Sequence, residues 1–168
     1  MKNQTTRKYE YHNWANDRIF NHLKELPDAV FDQEIKSVFS SIKEVLIHIY
    51  QVDAMWLSVM SGAPFSQTME VIKEIKVKSQ DPDLDQIVKL YSENTDRYKS
   101  FFEEQDDLDA DIEIEHPRYG KLKTTIADLV LHVVNHGTYH RGNITAMIRQ
   151  QGHAGVPTDY ILYVYEMV

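Results

Sequence analysis

The feature that most constrains this chain is the stretch 125–152, in which His132, His136 and His140 recur at steps of four. In a helix such steps stack side chains on one face. That face also carries Leu129, Val133, Ile144 and Met147, so three imidazoles and Asn143 stand where an amphipathic helix keeps its buried stripe. Buried polar groups need partners, and imidazoles turned together toward a core can find a common one in a metal ion, which neutral ring nitrogens bind well. Thr125 followed by Asp128 supplies an N-cap for this helix, and Gly152 ends it just past the C-cap.

The rest of the chain offers elements for this helix to pack against. Between Lys8 and Leu26, His12, Ala15, Ile19 and Leu23 keep helical spacing, and Pro27 stops the run. After a mixed linker, Ser41 and Glu44 form the S-x-x-E of a capping box and open a second helix. Its expected stripe is Val45, Ile49, Val52, Trp56 and Val59, with His48 on the edge, and Gly62, Ala63 and Pro64 close it. Residues 65–81 are polar and read as a long surface connection with room for a short helix. Asp81-Pro82 is expected to open a third helix with Leu84, Ile87, Tyr91, Tyr98 and Phe102 inward. Ile112 and Ile114 alternate with carboxylates, and Pro117-Arg118-Tyr119-Gly120 turns the chain into 121–124, which predicts a small hairpin before the fourth helix. The aromatic end, 157–168, is read as a short capped helix in preference to a strand. The whole is an all-α fold, a four-helix bundle in which sites are built from side chains facing the seams.

Composition sets the limits on function. With 168 residues the chain suits one domain, 1–168, able to bury a core without staples. It has no cysteine, so metal ligands are confined to histidine, carboxylate and water. A formal net charge of -8 argues against gripping nucleic acid or an anionic membrane surface. The start, from Met1-Lys2-Asn3 onward, lacks a signal segment and no run is apolar enough for a membrane helix, so a cytoplasmic protein is expected.

His136 and His140 can give a zinc, nickel or iron ion two nitrogens, but adjacent turns of one helix cannot surround it, so a further ligand must come from a neighbouring helix. His48 suits that role and equally suits a core-edge histidine bonded to a carbonyl; His12 is the next choice. His132, a turn away, is read as lining the pocket or supporting the ligands by hydrogen bonds. His22, His116 and His153 lie in polar or turn contexts and read as solvated. Arg141 suits an ion pair with a carboxylate of another helix better than an anionic substrate. Tyr139 flanks the histidine face.

The segment His132-Val133-Val134-Asn135-His136-Gly137-Thr138-Tyr139-His140-Arg141-Gly142-Asn143 resembles the N-H-x-x-x-H-R-G-Q helix of the DinB/YfiT family, with Asn143 in place of the glutamine. The Tyr11 to Asn16 start, the Ile47-His48-Ile49 stretch, Gly120 and Gly152 extend the resemblance over essentially the whole chain. It implies an up-down-down-up four-helix bundle, commonly a homodimer, with a divalent metal on His48, His136 and His140; zinc or nickel is expected, with manganese or iron as further choices. Relatives in that family include bacillithiol and mycothiol S-transferases and a mycothiol-dependent maleylpyruvate isomerase.

Two functions follow as expectations. The first is a metal-dependent thiol S-transferase or hydrolase acting on a small-molecule substrate, with a low-molecular-weight thiol as partner and His132 or Tyr139 as proton shuttle. The second is a non-catalytic stress-response or binding protein stabilised by its ion.

Overall fold

Caps and apolar spacing divide the chain into seven helices and one hairpin among the described residues, 4–116 and 118–167 of a computed structural model, with Phe65 described by its backbone alone. Met1, Lys2, Asn3, Pro117 and Val168 lie outside these residues, and with them the reading of the extreme start, the proline's part in the turn and the last residue of the terminal segment. Four long helices form the bundle: α1 (Gln4–Glu25), α3 (Ile42–Met60), α5 (Leu84–Glu103) and α6 (Ile126–Gln150). The shorter elements are α2 (Ala29–Asp32), α4 (Phe65–Lys78), α7 (Tyr160–Glu166) and strands β1 (Asp111–His116) and β2 (Gly120–Thr125).

Pairwise contacts give the helix directions. Asn13 meets Thr95 and Phe20 meets Tyr91, so α1 and α5 run antiparallel. Tyr91 donates to the Leu46 carbonyl and Tyr98 to that of Asp53, so α5 runs parallel to α3. His48 faces His140 while Trp56 faces His132, so α6 runs antiparallel to α3. The order is up-down-down-up, and α6 packs on both α1 and α3. The antiparallel strands pair Ile112 with Thr124 and Ile114 with Leu122, and Gly120 at φ 75° makes the turn.

Caps set the ends of the two site-bearing helices. Ser41 accepts from the Glu44 backbone while Glu44 reaches back to the Ser40 N–H, and Thr125 accepts from the Asp128 backbone. Gly152, at φ 84°, donates to the Arg149 carbonyl as His153 donates to that of Ile148, which closes α6 in a Schellman motif.

Four expectations are corrected. Residues 65–78 are a fourteen-residue helix and not mainly a connection, because Thr68 and Ile75 bury one face against α3 while the lysines and glutamates lie opposite. The cap of α5 is Asp83, reciprocated by Gln86; Asp81 sits at φ 46° and accepts an ion pair from Lys43. The inner stripe of α3 runs through Val45, Leu46, Ile49, Asp53, Ala54 and Leu57, which leaves Val52, Trp56 and Val59 half-buried at its margin. Among the described residues helix α1 reaches back to Gln4, a turn before Lys8.

A polar layer crosses the bundle between two apolar clusters, one around Ile19, Ile49 and Ile144, the other around Ala15, Tyr98 and Val133. In it His12 Nε2 lies 2.8 Å from Asp53 Oδ2, with both side chains buried. Arg141, 1 % exposed, reaches His12 Nδ1 at 3.3 Å, Asn16 Oδ1 at 2.9 Å and Thr138 Oγ1 at 2.9 Å. A guanidinium can only donate, so His12 accepts at Nδ1 and donates its Nε2–H to Asp53. Truncating Asp53 leaves a buried histidine N–H and a buried cation without their carboxylate. Asp53→Ala is therefore expected to destabilise the fold by about 3–5 kcal/mol, read from urea unfolding midpoints, with a smaller loss for Asp53→Asn.

Candidate metal centre

The site sits on the seam where α3 passes α6. Leu129, Val133, Ile144 and Met147 of α6 are buried, so the histidine face lies on the flank of the apolar stripe and opens toward α3. His140 is buried, His48 and His136 are half-buried, and one ring nitrogen of each lies within 4.8 Å of the others.

These residues suit a metal ion by three observations. Nitrogens about 2.0–2.1 Å from a tetrahedral zinc stand ~3.3 Å apart; Nε2 of His48 and Nε2 of His136 are 3.1 Å apart. The Nδ1 of His136 is buried without a hydrogen-bond partner among the described residues, so this ring's polar contacts are made toward the cluster. Asn143 Nδ2 lies 3.4 Å from His140 Nδ1, and with the amide turned over its oxygen accepts the Nδ1–H and leaves Nε2 free as a ligand. Though shorter than a glutamine, Asn143 touches the site through His140.

Electrostatics favour the unprotonated form that a metal ligand needs. Burial lowers the pKa of His136 from 6.5 to about 3, reinforced by His140, His48 and His132. Burial likewise lowers His48 and His140.

The other singled-out residues fall outside the cluster. His132 is exposed, its ring 6.2 Å from that of His136 and edge-on to Trp56 at 4.9 Å. Tyr139 is 64 % exposed and packs edge-on against His140 at 5.0 Å. His12, the second choice for the third ligand, belongs to the polar layer, where its ring occupies the space a Cβ at Gly137 would need. Arg141 lies in that layer also, joined to Asp53 only through His12 and not by a direct ion pair. His22 is not simply solvated: its Nε2 lies 2.6 Å from the Ala154 carbonyl. His116 accepts from the backbone of Arg118 and Tyr119 in the hairpin turn, and His153 gives α6 its closing backbone bond. Sequence reasoning missed Phe39, whose ring is 5.1 Å from His48 and 5.5 Å from His140; its signal was a lone aromatic two residues before the cap of α3.

Fold and site together define a class, helical bundles with three histidines gathered on neighbouring antiparallel helices. The chain belongs to the DinB family, whose model matches residues 1–167. Protein DinB of Bacillus subtilis (strain 168) is 45% identical over 157 residues, which is 94% of this chain and 91% of that protein. The crystal structure of a DinB-like protein from Bacillus cereus ATCC 10987 matches with a TM-score of 0.64 at 20% identity, covering 91% of this chain and 94% of that one, a likeness of fold.

The low pKa of His136 has a consequence for the metal-free protein. Between pH 6.5 and about 3 the unfolded chain takes up a proton at His136 that the folded chain does not. Its contribution to stability is thus complete above pH 6.5 and is lost as pH falls through that window, with His48 and His140 acting in the same sense. Melting temperature of chelator-treated protein is expected to fall over this range, and more gently in His136→Leu.

Proposed function

We propose that the chain binds a divalent metal ion through His48, His136 and His140 and acts with it on small molecules, as a bacillithiol-type thiol S-transferase or a hydrolase. The observation that carries this reading is the meeting of three imidazole nitrogens within 4.8 Å across α3 and α6. Zinc or nickel suits such nitrogen donors, followed by manganese or iron. An ion with three protein ligands keeps open positions and lowers the pKa of a thiol or water bound there toward neutrality. Because the chain has no cysteine, the sulfur of a transfer reaction comes from a small thiol.

The protein's own groups hold and aim the site. His140 is oriented by Asn143, and the capped ends of α3 and α6 set the facing turns. His132 and Tyr139 flank the cluster and reach solvent, and in this reading they pass a proton between a substrate and water. A homodimer belongs to the same proposal, with Tyr160, Ile161, Tyr165 and Met167 as exposed apolar surface for a second copy to cover. A second reading rests on the ligands' coming from two different helices: the ion then clamps α3 to α6 without turnover.

Protein saturated with zinc or nickel and then desalted is expected to retain one ion per chain by elemental analysis, and His136→Ala to lose it. At a free ion concentration a hundred times its Kd the stabilisation should be about 2.7 kcal/mol. The loaded protein should conjugate bacillithiol to chlorodinitrobenzene or hydrolyse activated esters, and His136→Ala should abolish this. An ion that raises the melting temperature of a protein inert in both assays selects the clamp, and a wild-type protein that retains no ion overturns both readings.

A further inference from the structure

The seam around the histidine cluster is bordered by rings. The hydrogen bonds of His48, His136 and His140 among the described residues are to one another and to Asn143. Around them, Phe39 lies against His48 and His140, Tyr139 stands edge-on to His140, and Trp56 stands edge-on to His132. Val52 is one helical turn from both His48 and Trp56, so imidazole, isopropyl and indole follow in successive turns along one side of α3.

Phe39 and Trp56 are both half-buried at the margins of the two apolar clusters, Phe39 against the one around Ile49 and Trp56 against the one around Val133. Phe39 is also held in place. Its segment has no helix or strand, yet the Ile35 N–H donates to the Ser40 carbonyl at 2.8 Å and the Ser40 N–H to Glu44 Oε2 at 3.0 Å, which fixes the loop on either side of the ring. A fixed, partly open ring next to a ligand cluster offers a face or edge to an incoming group at little conformational cost.

We infer that Phe39 and Trp56 are specificity-determining residues, which make the histidine site select small molecules carrying a flat aromatic group close to the atom that meets the ion. The inference rests on the metal-binding reading above. A phenyl group entering the seam exchanges water for ring contacts with Phe39 at one end or with Trp56 and His132 at the other, whereas a short alkyl group reaches neither.

Cobalt(II)-loaded protein tests this without turnover. Phenylmethanethiol and ethanethiol, both alkyl thiols, are titrated separately and followed by the thiolate-to-cobalt charge-transfer band. The aromatic thiol is expected to bind about tenfold more tightly. Phe39→Leu and Trp56→Leu keep an apolar side chain and remove the ring, so the double variant should lose most of that preference while its affinity for ethanethiol stays within about twofold. The cobalt d–d spectrum of each variant shows that the ion site is intact, and each single variant should show a partial loss. Equal affinities in the wild type, or a full preference in the double variant, overturn the inference alone. Failure of the wild type to take up cobalt, zinc or nickel overturns the metal reading and this inference with it.

Discussion

The architecture depends on one buried hydrogen-bonded chain, Asp53 to His12 to Arg141, which joins α3, α1 and α6 at mid-height. Polar groups in such a place are stabilising only when satisfied; Asp53, His12 and Arg141 are tied in sequence by bonds whose donors are fixed by the guanidinium, while Asp53 Oδ1, Arg141 Nε and Asn16 Nδ2 are buried without a partner among the described residues. Because apolar clusters above and below would tolerate sliding, this layer is the part of the core that specifies register. Gly137 shares in it: the His12 ring lies so close to the α6 backbone that a Cβ there would stand 2.6 Å from Nδ1.

Register at that layer decides the site. Asp53 is five residues after His48 on α3, and Arg141 follows His140 directly on α6. Once His12 bridges those two residues, the turns that carry His48, His136 and His140 are brought level on the adjoining face. A site assembled from two helices thus inherits its geometry from polar contacts one side chain deeper in the core.

Much of this was readable from residues alone, for reasons that differ between elements. The caps at Ser41 and Thr125 and the stop at Gly152 are local chemistry, and they stand where the sequence places them. The four-step spacing of His132, His136 and His140 placed all three on one face, but spacing along a helix says nothing of how far a neighbouring helix extends beside it; that is why the exposure of His132 emerged only from the packing. Helix α4 was concealed by its polar composition, since its buried face includes Thr68 and the cap residue Ser79, whose polar atoms are satisfied by Ser58, Gln51 and the Ile75 carbonyl. The pairing of His12 with Asp53 was beyond reach because it links residues 41 apart on different helices, and no local pattern records it.

The depressed pKa values on the seam connect folding to the proposed chemistry. A divalent ion competes with protons for imidazole nitrogens, so an ordinary histidine must give up a proton in mildly acidic solution before it can serve as a ligand. His136, with a pKa of about 3, has been left neutral by burial and by its histidine neighbours across that whole range. The folded chain therefore presents an unprotonated ring from which an ion need displace no proton: the same burial that weakens the metal-free fold in acid would, on the proposed reading, leave these nitrogens open to a metal where free histidine is protonated.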